Sequence, residues 1–360
     1  MEQWGRLEWE RLGRTDKEQA LRALQDRLPA GFAFMRMEQF ERYGRSMETG
    51  VFEYKGCEFV FVPGGRVTLG WEDWSAGPDD ATLMDMQGGM EEAGRVPEEL
   101  AKLLREQMSP VREVEIRPLL IERRTRPAGW YEVTLEELDS EEDDDVLEEL
   151  ESFKQTTYST YEQYQSFRLI RAGESIRVEL FDSSDSYEEW AASELEEGFS
   201  ILTEEEWEYV YGGGCRTLFP WGDSFDYSMK VRHFGELDRL VDEGKPSEDS
   251  RSLEQGGGSG SSDLPDQQER PQGEDRPYDL EQPNAFGLYF LGDPYQTELT
   301  ATADGVVSCK GGDGGSSICG GLGVALGYLP VAVYYRDPYA EELTWEDKLD
   351  HMHYRRVVRL

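Results

Sequence analysis

Hydrophobic and polar positions change period along the chain, and the changes divide it. In residues 1–49, Leu21, Leu24 and Leu28 recur at helical spacing, Thr15 and Glu18 match a capping box, and Pro29 ends the run. This segment is read as an N-terminal helical preface packed on the remainder. From Val51 the period shortens. Cys57-Glu58-Phe59-Val60-Phe61-Val62 is rich in strand formers, Pro63-Gly64-Gly65 supplies a turn, and Arg66-Val67-Thr68-Leu69-Gly70 reads as the returning strand of a hairpin. Residues 72–110 read as an irregular insertion ending in a helix around Pro97–Met108, and Val111–Ile121 resumes strand-like alternation.

Two further stretches break the pattern. Leu135–Leu150 contains Glu141-Glu142-Asp143-Asp144-Asp145 and reads as a solvated acidic helix or loop. At about 243–282 the chain is dominated by Gly, Ser, Pro and acidic residues around Gln255-Gly256-Gly257-Gly258-Ser259-Gly260. It has too few apolar side chains to offset the entropy of ordering, so a flexible acidic loop is expected there.

Charge narrows the partners. The 37 Lys+Arg against 76 Asp+Glu leave −39 on 360 residues. Such a polyanion gains nothing from counterion release on a phosphate backbone and is repelled by anionic lipid, so neither nucleic acid nor membrane is expected as partner. A protein or peptide partner, basic in character, fits better. The first twenty residues are charged throughout, and no stretch reaches the roughly 18 apolar residues of a membrane span. The expected location is the cytoplasm. Four cysteines (Cys57, Cys215, Cys309, Cys319) without a C-x-x-C pair are too sparse for a disulfide framework, and three histidines offer no evident metal cluster.

Four segments in fixed order carry a resemblance. They are Phe61-Val62-Pro63-Gly64-Gly65 with Leu69-Gly70; Leu180-Phe181-Asp182, Tyr187-Glu188-Glu189-Trp190-Ala191 and Leu202-Thr203-Glu204-Glu205-Glu206-Trp207-Glu208-Tyr209, followed by Phe219-Pro220-Trp221-Gly222-Asp223; Pro283-Asn284-Ala285-Phe286-Gly287-Leu288-Tyr289; and Gly314-Gly315-Ser316 with Tyr354-Arg355-Arg356-Val357-Val358-Arg359. Together they resemble the formylglycine-generating enzymes, or sulfatase-modifying factors. The similarity covers residues 51–360. It implies an α+β fold, the formylglycine-generating-enzyme-type variant of the C-type lectin fold, here with irregular acidic insertions. Thr203 is expected to cap a helix whose first turn holds Glu204, Glu205 and Glu206, with Trp207 facing the core.

Enzymes of this family resemble copper oxidases that hold the ion on two thiolates, the third and eighth residues beyond the serine of a Gly-Gly-Ser segment. Placed on Gly314-Gly315-Ser316, those positions are Cys319 and Val324. A soft ion such as Cu(I) requires at least two sulfurs, and an isopropyl group has no lone pair to give. Cys309 could supply a second sulfur from across the glycine-rich stretch. Iron chemistry of the related sulfoxide synthases needs a His-x-x-x-His spacing that is absent here. The family's calcium segment is replaced by Gly292-Asp293-Pro294-Tyr295-Gln296-Thr297, which leaves Asp293 as an oxygen donor for calcium at a site of reduced charge. The expected function is a sulfatase-modifying-factor-like binding or interaction module that has lost the metal site and needs no cofactor, a pseudoenzyme. The alternative is a copper oxidoreductase in which Cys319, with Cys309, oxidises a protein cysteine.

Overall fold

In the computed structural model, which describes residues 4–139, 143–173, 175–232, 277–301, 306–340 and 342–360, the chain opens with helices α1 (Arg6–Arg11) and α2 (Arg14–Gln25). Leu21 and Leu24 are buried, as their spacing requires. The start of α2 differs from expectation: Gly13 is the N-cap without a side-chain bond, and Thr15 lies inside the helix. Glu18 turns instead to Arg22, one turn on. Helix also ends earlier than residue 49. Strands β1 (Ala33–Arg42) and β2 (Arg45–Tyr54) pair antiparallel about Tyr43-Gly44, both left-handed. Met47, Thr49 and Val51 share one buried face of β2, and Gly50 and Phe52 are buried on the other, so the strand is covered on both sides. Because β2 runs across residues 49–51, the preface and the remainder share one sheet.

Strands β3 (Cys57–Val62) and β4 (Gly65–Leu69) form where the apolar runs lie, but they are not a hairpin. β3 sits between β2 and β6 (Leu119–Glu122), while β4 pairs with β5 (Arg112–Ile116). Gly64 explains the divergence. Its N–H donates to Trp4 O (3.1 Å) and its carbonyl accepts from Arg6 (2.7 Å), so the N-terminal chain takes the place of a returning strand. A Cβ at Gly64 would lie 2.2 Å from Ile116 O, which only glycine avoids. Between β4 and β5, the insertion holds α3 (Asp80–Glu92), which the sequence reading missed, and α4 (Leu100–Gln107), which it placed.

Past β7 (Arg126–Pro127), a lobe is built from β8 (Trp130–Val133), α5 (Asp144–Lys154), β9 (Thr160–Gln163), β10 (Phe167–Ala172) and β11 (Ser175–Phe181). Its sheet has the order β8-β11-β10-β9. Val146, Leu150 and Phe153 of α5 pack on Phe167, Leu169 and Val178, so part of the acidic segment is an amphipathic helix with one apolar stripe.

The chain continues through α6 (Tyr187–Glu194) and α7 (Glu204–Gly212). At α7 the sequence reading holds in detail. Thr203 accepts from the Glu206 amide and the Glu206 side chain returns the bond, a full capping box. Trp207 is 1% exposed, and its Nε1 donates to Glu298 at 3.1 Å. Trp221 is only half-buried, stacked on Phe219 with centroids 4.8 Å apart. Most of the stretch expected to be a flexible loop, residues 243–276, lies outside the described residues. Residues 277–282 carry a helical turn with Leu280 buried, and Arg232 pairs with Glu281 at 2.7 Å.

Strands β12 (Thr297–Ala301) and β13 (Val307–Lys310), helices α8 (Ser316–Cys319), α9 (Gly323–Gly327) and α10 (Trp345–His351), and strands β14 (Met352–Tyr354) and β15 (Val357–Arg359) complete the architecture. One sheet has the order β1-β2-β3-β6-β15, another β13-β12-β14-β7. The fold is α+β with several mainly antiparallel sheets and, among the described residues, no barrel. The closing Arg355-Arg356 pair is internal: Arg355 bonds Glu298, and Arg356 bonds Glu122 at 2.8 Å. Breaking either buried pair would strand a charge. No helix among the described residues is long and apolar enough to cross a membrane.

Candidate functional site around the glycine-rich loop

The loop that joins β13 to α8 is shaped by what it packs on. Asp313 accepts the Gly315 amide on Oδ1 (3.0 Å) and the Ser317 amide on Oδ2 (2.9 Å), satisfying donors at the start of α8 that have no partner within the helix. Gly315 has φ +82°, and a Cβ there would come within 2.3 Å of the Tyr295 ring. Glycine at this position therefore lets the phenol lie flat beneath the loop. The Tyr295 hydroxyl reaches Cys319 Sγ at 3.3 Å, and Cys319 is exposed at the end of α8.

Asp293 is buried below this contact. Its Oδ1 accepts the Tyr295 amide (3.0 Å), and the next carbonyl, Pro294 O, accepts from Asp313 (3.0 Å) and Gly315 (3.1 Å). The carboxylate thus closes the turn that carries Tyr295. Cys309 is buried on β13 opposite Leu299, its Sγ 3.8 Å from Met352 Sδ. Burial pushes its thiol up to about 12, so it is a neutral SH near neutrality. Val324 on α9 packs against the main core.

Two acids missed in the sequence border the loop. Burial raises Asp313 above the ordinary carboxylate range despite its amide bonds. It also raises Asp337, and the charge of Asp313 adds to the effect. Tyr335, whose phenol is raised by burial and then by these two carboxylates, lies beside them. Asp313 was legible as a helix-starting acid in Asp313-Gly314-Gly315-Ser316; Asp337 and Tyr335 come from a distant segment and had no local signal.

Cys319, Asp293 and Tyr295 are thus brought together, whereas Cys309 belongs to a separate apolar cluster with Leu299, Trp190 and Met352. The donors do not fit a two-thiolate copper site: one thiol is exposed beside a phenol, the other is neutral and packed on a thioether, and Val324 offers no electron pair. Nor does a single buried carboxylate already bonded to an amide fit calcium, which requires six to eight oxygens. Among the described residues, no group of three or more His, Cys, Asp or Glu side chains is placed to hold a metal ion. A comparison with protein-family models finds no match to this chain, and a comparison with curated proteins finds none either.

Proposed function

We propose that this chain is a sulfatase-modifying-factor-like protein, on the formylglycine-generating-enzyme variant of the C-type lectin fold, that acts as a non-catalytic binding module for a protein or peptide partner. The observation that carries the reading is the separation of the sulfurs. Cys319 is exposed, with Tyr295 as its polar neighbour, while Cys309 is a buried thiol against Met352. A copper oxidase of this family would need both as thiolates on one ion. The loop is instead braced by Asp313, Asp293 and Tyr295, which hold its surface in one shape.

An anaerobic Cu(I) titration against a competing chelator, followed by aerobic incubation with a cysteine-bearing sulfatase-type peptide, tests the reading. The expected result is no stoichiometric binding and no aldehyde. Tight one-to-one binding that Cys319→Ser abolishes, together with aldehyde formation, would establish the copper oxidoreductase instead.

A further inference from the structure

The lobe formed by β8–β11 and α5 ends in an open strand. β9 is last in its sheet, with β10 on one side and no strand on the other among the described residues. Arg171 donates to Ser159 O across the pair (2.8 Å), and an antiparallel ladder repeats such bonds at every second residue. Ser159, Tyr161 and Gln163 therefore turn their backbone groups toward β10. The N–H and C=O groups of Thr160 and Glu162 face outward.

This edge is held firmly and presented openly. Arg171 grips the chain that enters β9, donating to Tyr158 O (3.1 Å) and, from Nη2, to Phe153 O (2.9 Å). Two tyrosines bracket the strand, Tyr158 at 66% and Tyr164 at 70% exposure. Each offers a flat apolar face to a side chain lying alongside.

Charge states what can lie there. From Trp130 to Phe181 the sequence has fifteen Asp+Glu and four Lys+Arg, so 4 − 15 = −11. All four cations are engaged within the lobe: Arg168 and Arg177 with Glu179, Lys154 with Glu151, and Arg171 with the carbonyls above. Glu162 on the edge and Asp144, Asp145 and Glu148 on α5 are exposed and have no ion pair among the described residues. A second copy of the chain would bring two such surfaces together against their repulsion.

We propose that the outer edge of β9 is the docking site for an extended, Lys- or Arg-bearing segment of a protein partner, which adds to the sheet as a further strand. The inference rests on the reading of the chain as a binding module and names where the partner sits. Main-chain bonds to Thr160 and Glu162 give the pairing, the tyrosines flank it, and the acidic surroundings select basic side chains.

The test uses the full chain and a fluorescent peptide alternating Lys and Val, with its Glu–Val counterpart as control, read by anisotropy at low and high salt. The Lys–Val peptide should bind, more weakly as salt rises, and the Glu–Val peptide should not. Glu162→Pro removes an outward N–H without touching the bonds to β10, and should weaken binding about tenfold or more while the melting temperature holds. If melting changes, Thr160→Pro removes the other outward N–H and gives the same reading. Glu162→Gln, or Asp144→Asn with Asp145→Asn and Glu148→Gln, should weaken binding a few-fold and flatten its salt dependence. Binding that survives both proline variants, no binding at all, or a dimer that Glu162→Pro dissolves would each overturn the proposal. Copper-dependent aldehyde formation would overturn the binding-module reading independently, whereas a silent edge in a chain without that activity overturns this inference alone.

Discussion

Helices α5 and α7 are both rich in acidic side chains, five on α5 and four on α7, and most of these meet opposite fates. On α7, Glu204 pairs with Arg336 (2.6 Å) and Lys310 (3.1 Å), Glu206 with Arg359 (2.6 Å), and Glu208 with Lys310 (2.9 Å) and Arg112 (3.2 Å), all three carboxylates buried. On α5, Asp144, Asp145 and Glu148 face water. The helices themselves do not make the difference. β5, β13, β15 and the segment at Arg336 bring cations over α7, and among the described residues no comparable element lays cations over α5. An acidic helix is thus structural or merely solvated according to what the rest of the chain lays across it.

The sharpest way to break this contrast is to remove a shared cation. Lys310→Met leaves Glu204 and Glu208 short of a partner at almost zero exposure and should destabilise the protein by about 3–5 kcal/mol in urea unfolding. An unchanged midpoint would mean that the α7 carboxylates are as free as those of α5.

Acid gives the next effect, in two windows. Burial would raise Glu204, but Arg336 and Lys310 outweigh it and hold the carboxyl at about 2, below its ordinary 4.5. Stability from this group is fully present above pH 4.5 and is lost as pH falls toward 2, about 3 kcal/mol in all. His353 titrates in a higher window. Burial, with Arg168 adding, lowers it from 6.5 to about 4, and its Nδ1 has no hydrogen-bond partner. The unfolded chain takes up this proton first, so stability is full above pH 6.5 and falls between 6.5 and 4. Unfolding curves from pH 7.5 to 4.5 should show that loss in the parent chain and a flatter profile in His353→Phe; equal slopes would show that the imidazole is solvated.

Smallest is the expected effect on α5. Glu148→Gln should shift stability by less than about 0.5 kcal/mol, because a solvated charge beyond the first turn has no partner to lose. A large loss would reveal an ion pair that the comparison with α7 denies.

The part of the site that could be read in advance was the part written locally. Cys319 and Asp293 were identifiable from the Gly-Gly-Ser segment and the Gly-Asp-Pro-Tyr turn, and Val324 could be ruled out as a ligand from its side chain alone. Tyr295's contact with Cys319 was not legible, since it depends on Gly315 yielding space to a ring twenty residues earlier in the chain. Cys309 looked like a second ligand because it is near in sequence; its register puts it opposite Leu299, with its sulfur against Met352 instead.

By itself the sequence determined the helix at 204–212 with its cap and buried Trp207, the strand character of 57–62 and 65–69, and the helical stripe of Leu21 and Leu24. These depend on neighbours within a turn of helix or along one strand, where side-chain period and capping chemistry act directly. Only the tertiary structure decided that β3 and β4 join different sheets, that Glu204, Glu206 and Glu208 are buried under cations, and that β9 has no outer neighbour among the described residues. The first two of those outcomes depend on segments from about forty to about a hundred and fifty residues apart in sequence, and local pattern holds no record of which long-range partner wins the contact.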